Sequence, residues 1–265
     1  MKYLVNGTQL NVVEQGSGTL TLVFLHYFGG SALEWKPVMN YLSDTYRCLA
    51  IDLRGCGDSD APKTGYSVDD MADDIAGLLT GLAIRDFVLV GHSMSGKVAL
   101  ALVAGTPSRP QPNGLRSLLL VSPSPPVPEP MSDDERKKLL QGYGQRASAK
   151  QTLKNITAAH VSELVQEQII LDDLRTSKPA WDAWLLAGSK ENIADRMSAI
   201  KVPVHIIVGT DDHALPPDVQ TMMVVPYLND VTIDTLDGVG HLIPWEAPDA
   251  LVDFIQKKIT GLSSI

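Results

Sequence analysis

Phe87-Val88-Leu89-Val90-Gly91-His92-Ser93-Met94-Ser95-Gly96-Lys97-Val98-Ala99-Leu100 is the stretch on which the fold turns. Its first four residues are aromatic, β-branched or aliphatic, which suits a strand buried on both faces. Val98 to Ala104 is rich in Ala and Leu and suits a buried helix. Between them, Gly91 and Ser95 stand two residues to either side of Ser93. Small residues there allow a sharp turn that lifts one hydroxyl out of the top of a sheet and aims a helix N-terminus at it. The usual Gly-x-Ser-x-Gly form of this turn has glycine where the chain has Ser95, and here glycine follows one residue later at Gly96. Serine is the next smallest side chain, so the turn tolerates it.

Outward from this stretch, strand and helix patterns alternate. Leu20 to Leu25, Tyr46 to Ile51, Leu115 to Val121 and Val204 to Val208 are short apolar runs, and Val231 to Leu236 is a further strand. A hairpin is expected around Asn6-Gly7. Helices are expected over Ala32 to Leu42, from a Ser67 cap to about Leu82, and over Pro248 to Ile259. In the second of these, Val68, Met71, Ile75, Leu78 and Leu79 recur at helical spacing, with Asp69 and Asp70 favourable in its first turn. The alternation predicts an α/β fold with a mostly parallel, doubly wound sheet covered on both faces.

The alternation breaks at Ser122-Pro123-Ser124-Pro125-Pro126-Val127-Pro128-Glu129-Pro130, a stiff, extended connector. From Met131 to Ala199 the pattern is polar and helical with no strand candidate. Ser132-Asp133-Asp134-Glu135 opens one helix as a capping box, and Pro179 opens a later one. The expected organisation is a core in two parts, residues 1–130 and 200–265, with a helical cap over 131–199.

Composition narrows the function. The chain has 265 residues, 44% of them hydrophobic, with a net charge of −9 and a pI near 5.1. That charge, with no Lys/Arg run, argues against nucleic acid and against an anionic membrane surface. No apolar run approaches the ~18 residues of a membrane span, and the N-terminus turns too early for a signal peptide. Cys48 reads as a core thiol and Cys56 as a loop thiol, so a cytoplasmic location is expected. Gly29-Gly30 and Gly55-x-Gly57 are turn glycines and neither opens a dinucleotide-binding helix; no cofactor is expected, and no cluster has metal-ligand spacing.

A serine hydroxyl needs a base, and the base an orienting acid. His241 lies in the glycine-rich loop Asp237-Gly238-Val239-Gly240-His241-Leu242-Ile243-Pro244. Asp211 and Asp212 follow the preceding strand. Ser, Asp and His thus each fall just past a strand's C-terminal end, where ligands gather in open α/β sheets. His26 and His92 are read as structural, His205 as a satisfied strand residue, and His160 and His213 as solvated.

Four patterns in this order, His26 to Ser31, Asp52 to Ser59, Gly91 to Gly96, and the Asp212 and His241 loops, resemble the α/β-hydrolase superfamily over nearly the whole chain. The resemblance implies that Ser93 is the nucleophile, His241 the general base and Asp212 the orienting acid, because the family's acid usually lies three residues past the glycine, here Gly209. It implies an oxyanion hole from the N–H groups of Phe28 and Met94. The chain departs from the family at Tyr27, where glycine is usual; that side chain either packs or donates its O–H to the oxyanion or a substrate oxygen. Trp181 and Trp184, three apart on one cap helix, are core or the wall of an acyl pocket. With Tyr27 and Leu242 they are the candidate substrate contacts. A serine nucleophile argues against haloalkane dehalogenase and epoxide hydrolase chemistry. The expectation is a serine hydrolase of a small carboxylic ester or lactone, monomeric or homodimeric, with no nucleic-acid or membrane partner. Cofactor-free perhydrolysis, C–C bond hydrolysis, and a ligand receptor with weak turnover are the alternatives.

Overall fold

The computed structural model describes residues 1–262. Eight strands form one sheet: β1 (Lys2–Val5), β2 (Thr8–Gln15), β3 (Thr21–Leu25), β4 (Arg47–Ile51), β5 (Phe87–His92), β6 (Leu115–Val121), β7 (Val204–Gly209) and β8 (Val231–Leu236), in the spatial order β1-β2-β4-β3-β5-β6-β7-β8. β1 and β2 pair antiparallel through the expected hairpin, with Asn6 at φ 49° and Gly7 at φ 77° supplying the left-handed turn. β2 joins β4 antiparallel, and every later pairing is parallel.

The central strands read as continuous apolar runs because both faces are covered. Val23 and Leu25 of β3 point into a cluster with α2 (Val68–Gly81) and α3 (Met94–Ala104). Leu22 and Phe24 point the other way, against α1 (Lys36–Leu42) and α10 (Pro248–Leu262). Ser67 caps α2 with a complete capping box. The helix expected from Ala32 begins instead as a 3₁₀ turn, Ala32–Trp35, before α1; Pro37 sits in the first turn of α1, where its missing N–H costs nothing. Two short helices, α8 (Pro217–Met223) and α9 (Ile243–Glu246), fall where no helix was expected.

Between β6 and β7 the chain leaves the sheet and forms α4 (Asp133–Gly142), α5 (Arg146–Ile156), α6 (Glu163–Arg175) and α7 (Lys178–Leu186), the helical cap. Ser132 Oγ accepts the Glu135 N–H, one half of the expected box; the reciprocal bond is not formed among the described residues. Lys97 of α3, fully buried, donates from Nζ to the carbonyls of Val127 (3.1 Å) and Glu191 (3.0 Å). One ammonium group thus holds both ends of the insertion to the core.

Strand order places the loops after β3 and β5 side by side at the point where the chain switches from one half of the sheet to the other. That crevice is where open α/β sheets gather their ligands.

Candidate active site

Ser93 sits at the tip of the turn between β5 and α3 with φ 54° and ψ −118°. This left-handed backbone costs a β-carbon-bearing residue about 1–3 kcal/mol. The surroundings hold it there: Ser93 N donates to Val121 O at 2.9 Å, and Ser93 O accepts from Gly96 at 2.8 Å and Ser124 at 2.9 Å. A Cβ on Gly91 would lie 2.7 Å from Ser95 O, and one on Gly96 would lie 2.5 Å from Pro123 Cβ. The glycine at 96 therefore answers to the proline connector. Ser95 is fully buried and its Oγ donates to the His26 carbonyl, so serine fills its position.

Ser93 Oγ lies 2.8 Å from His241 Nε2, and His241 Nδ1 lies 2.8 Å from Asp212 Oδ2. The other oxygen of Asp212 accepts the Ala214 and Leu215 N–H groups at 2.9 Å each. Asp212 is 1% exposed and His241 3%. Burial alone would raise the Asp212 carboxyl; the charge and hydrogen bond of His241 and the Leu215 N–H outweigh it and hold the group at about 2. Burial would lower the His241 imidazole, but Asp212 outweighs it and raises the imidazole above its ordinary value. Asp211 is exposed and takes no part in this chain of bonds.

The loop bearing His241 is braced. Glu246 accepts N–H groups from Gly240 (3.0 Å) and Leu242 (2.9 Å) in that loop, and from Ala158 and Ala159 (2.8 Å each) in the cap. Behind it, His92 Nε2–H donates to His241 O at 2.9 Å, and His92 Nδ1 faces Glu34 at 3.2 Å. Burial pushes His92 down to about 3 and Glu34 well up, so this buried pair is neutral, with the Glu34 hydroxyl donating. His26 donates from Nδ1 to Tyr27 O at 2.7 Å and accepts the Leu53 N–H on Nε2 at 3.1 Å. Both histidines have the structural roles expected of them. His205 bonds Thr232 Oγ1 at 2.7 Å within the sheet.

A cavity of about 570 Å³ opens over Ser93 and His241 beneath the cap. Tyr27, Phe28, Trp181 and Trp184 line it. The Phe28 and Trp181 rings stack with centroids 4.5 Å apart. Tyr27 packs, its ring 5.4 Å from that of His92 and folded over Gly30, where a Cβ would lie 2.5 Å from Tyr27 Cε1. Among the described residues the N–H groups of Phe28 and Met94 donate to no protein acceptor. Leu242 does not line the cavity: it is fully buried in a cluster with Tyr27, Leu153 and Ile169. Tyr27, Leu153 and Ile169 themselves line the cavity, so Leu242 packs behind its wall. His213 lines the cavity from its exposed loop, and His160 does not.

Glu129 and Asp173, which the sequence did not single out, also line the cavity. Burial raises Asp173 to about 7 and raises Glu129, which Lys97 and His241 partly offset. No arginine lines the cavity among the described residues, and its one lysine, Lys138, is exposed. Among the described residues no cluster could hold a metal ion, and no helix is long and apolar enough to cross a membrane.

Residues 22–254 match the family described as "Alpha/beta hydrolase family". The chain is 30% identical over 248 residues to a non-heme chloroperoxidase of Streptomyces lividans, covering 88% of each. It is 45% identical over 98 residues to a 2-(acetamidomethylene)succinate hydrolase of Mesorhizobium japonicum, a likeness spanning 37% of this chain and 35% of that protein. Among solved structures, an esterase from Exiguobacterium antarcticum superposes with a TM-score of 0.86 at 25% identity, covering 98% of each chain.

Proposed function

The chain belongs to the alpha/beta hydrolase family, and from that premise we propose that it is a serine hydrolase cleaving a small carboxylic ester or lactone through an acyl-enzyme. The observation that carries the reading is the continuous bond from Ser93 Oγ through His241 to Asp212, 2.8 Å at each step, opening on a closed-over cavity.

In this reading Ser93 Oγ attacks the carbonyl carbon while His241 Nε2 takes its proton. The Phe28 and Met94 N–H groups hold the oxyanion; each such donor contributes about 3–4 kcal/mol. Collapse expels the alcohol, which receives the proton from His241, and leaves an ester on Ser93. His241 then takes a proton from water, hydroxide attacks the acyl carbon, and Ser93 leaves with its proton restored. Asp212 keeps the imidazole in the Nδ1–H form, ready to accept at Nε2. None of these steps calls on a cofactor.

The lining of the cavity, with the Asp173 and Glu129 carboxyls and no arginine among the described residues, supports an uncharged or cationic substrate over a dicarboxylate of the kind named for the Mesorhizobium relative. The free, buried Cys48 and Cys56 fit a reducing compartment, and we place the protein in the cytoplasm. The likeness to the chloroperoxidase favours one variant of the same chemistry, in which hydrogen peroxide replaces water and the product is a peracid. Peracid formation from acetate and peroxide, absent in Ser93→Ala, would favour that variant.

The test of the main reading is intact mass after exposure to a small fluorophosphonate. A single adduct, lost in Ser93→Ala, is expected. No adduct on the folded protein would overturn the reading and move a non-catalytic ligand receptor ahead.

A further inference from the structure

Asp173, on α6, presents a half-buried carboxyl to the cavity with no hydrogen-bond partner among the described residues. A Cβ on Gly29 would lie 3.4 Å from Asp173 Oδ2 and 3.7 Å from Trp181 Cζ3. The space over the Gly29 α-carbon is thus about the size of a methyl group, and the Asp173 carboxyl and Trp181 indole that bound it stand together in the wall of the cavity, beside Phe28. Phe28 stacks on the far part of that wall at 4.5 Å, and Tyr143 lies 5.8 Å from Trp181. Tyr27 lines the same cavity; it is 5% exposed, and its hydroxyl has no partner among the described residues. Burial keeps that phenol protonated, well above its ordinary value.

With burial raising it to about 7, the Asp173 carboxyl is divided between acid and carboxylate near neutral pH, and the carboxylate form faces a difficulty. It stands beside the loop expected to hold the oxyanion, and in a water-poor cavity it opposes the charge that develops there. Among the described residues no cation pairs with it: Lys97 is committed to backbone carbonyls, and Lys138 is exposed. A positive charge on the substrate removes the conflict. An ammonium group is attracted both by a carboxylate and by the face of an indole.

We propose that the cavity wall formed by Asp173 and Trp181 is a subsite for a positively charged nitrogen, so that the ester or lactone hydrolysed here carries an ammonium group seated against the Asp173 carboxylate and beside the Trp181 ring. The proposal rests on the serine-hydrolase reading. It makes Asp173 a specificity residue, supplied by the cap and set against the reaction centre supplied by the sheet.

The test uses ester pairs that differ only in N⁺ for C. One pair is butyrylcholine and its uncharged carbon isostere, with the charge on the alcohol side. The other is the phenyl ester of trimethylammoniobutyrate and its carbon isostere, with the charge on the acyl side. Each kcat/KM is divided by the alkaline hydrolysis rate of the same ester, which removes intrinsic reactivity. In at least one pair the cationic ester is expected to be favoured by about tenfold or more. Asp173→Asn, which keeps the shape, is expected to cut that ratio by about threefold or more, leaving only what the indole contributes. Asp173→Lys is expected to turn the preference toward phenyl hemisuccinate, and if it does not fold the asparagine variant decides alone. A preference cut by less than about threefold in Asp173→Asn overturns the subsite. So does the absence of any preference in protein that labels at Ser93 and turns over the uncharged esters, and in that case the hydrolase reading stands. Protein that neither labels nor turns over any ester overturns both.

Discussion

The N–H of His241 donates to the carbonyl of Ile156 at 2.8 Å, which pins the histidine loop to the last residue of α5 in the cap. Cap and core are therefore joined at the base of the proposed reaction centre, through backbone and not only through the residues that face the substrate. Glu246 doubles the joint, with four N–H groups from both sides converging on one carboxylate.

Glu246→Ala should destabilise the protein by about 1–3 kcal/mol, because it strips a charged acceptor from four backbone donors that have no other protein acceptor among the described residues. Glu246→Gln should fall between, since an amide accepts at only one end. Urea unfolding measures the loss. The rate of fluorophosphonate labelling at Ser93 should fall in the same order, because the imidazole loses its brace. Unchanged labelling in a destabilised Glu246→Ala protein would show that the brace does not position the base.

Activity should rise with pH along a limb lying above 6.5, the ordinary value for histidine, because His241 must be neutral to accept a proton and its pKa is raised. Asp212→Asn should move that limb down and lower the plateau rate by about 10⁴-fold, as the tautomer is no longer held. Stability follows the same pair with opposite signs. The raised His241 pKa contributes fully below 6.5 and is lost as pH rises through the folded value. The depressed Asp212 pKa contributes fully above its ordinary 3.8 and is lost as pH falls through about 2. The stability difference between wild type and Asp212→Asn should therefore be largest between 3.8 and 6.5. A difference that does not vary with pH would contradict the coupling.

Lys97→Met keeps the length of the side chain but leaves the Val127 and Glu191 carbonyls without their donor. A loss of about 2–4 kcal/mol is expected, with faster proteolysis in the connector and in the segment after α7. Burial lowers Lys97 to about 8 from 10.5, so between those values the unfolded chain binds more protons. The wild-type advantage should then grow as pH rises through that range. A methionine variant more stable than wild type would mean that desolvation of the ammonium outweighs its bonds.

Gly96→Ala puts a Cβ 2.5 Å from Pro123 Cβ and 2.8 Å from its Cα, a contact the stiff connector cannot relieve without moving. A net loss of about 1–2 kcal/mol is expected, despite the ~1 kcal/mol that alanine gains over glycine inside a helix. Ser95→Ala, which frees only the His26 carbonyl, should cost about 1 kcal/mol. Thermal melts rank the two; equal melting temperatures would show that Pro123 yields.

The amino-acid sequence by itself determined the sheet. A strand covered on both faces reads as a nearly continuous apolar run, as Thr21–Leu25 does; the edge strand Val231–Leu236 is half exposed and was legible from its β-branched residues, and the Asn6-Gly7 pair marked its own turn. It also determined where Ser93, Asp212 and His241 stand, because a parallel sheet brings the loops at its strand ends together whatever lies between them in the chain. Within the cap, periodicity marked helices but not their partners. Pro37 cut one expected helix into a 3₁₀ turn and an α-helix, and Leu242 is buried behind side chains that line the cavity. Lys97, Glu129, Asp173 and Glu246 carry no local signal at all. A charged side chain looks solvated in any sequence window, and only the tertiary structure decides which distant carbonyls, amides or ring faces surround it. The place of the proposed reaction centre was thus local information, and the shape and charge of the cavity above it were not.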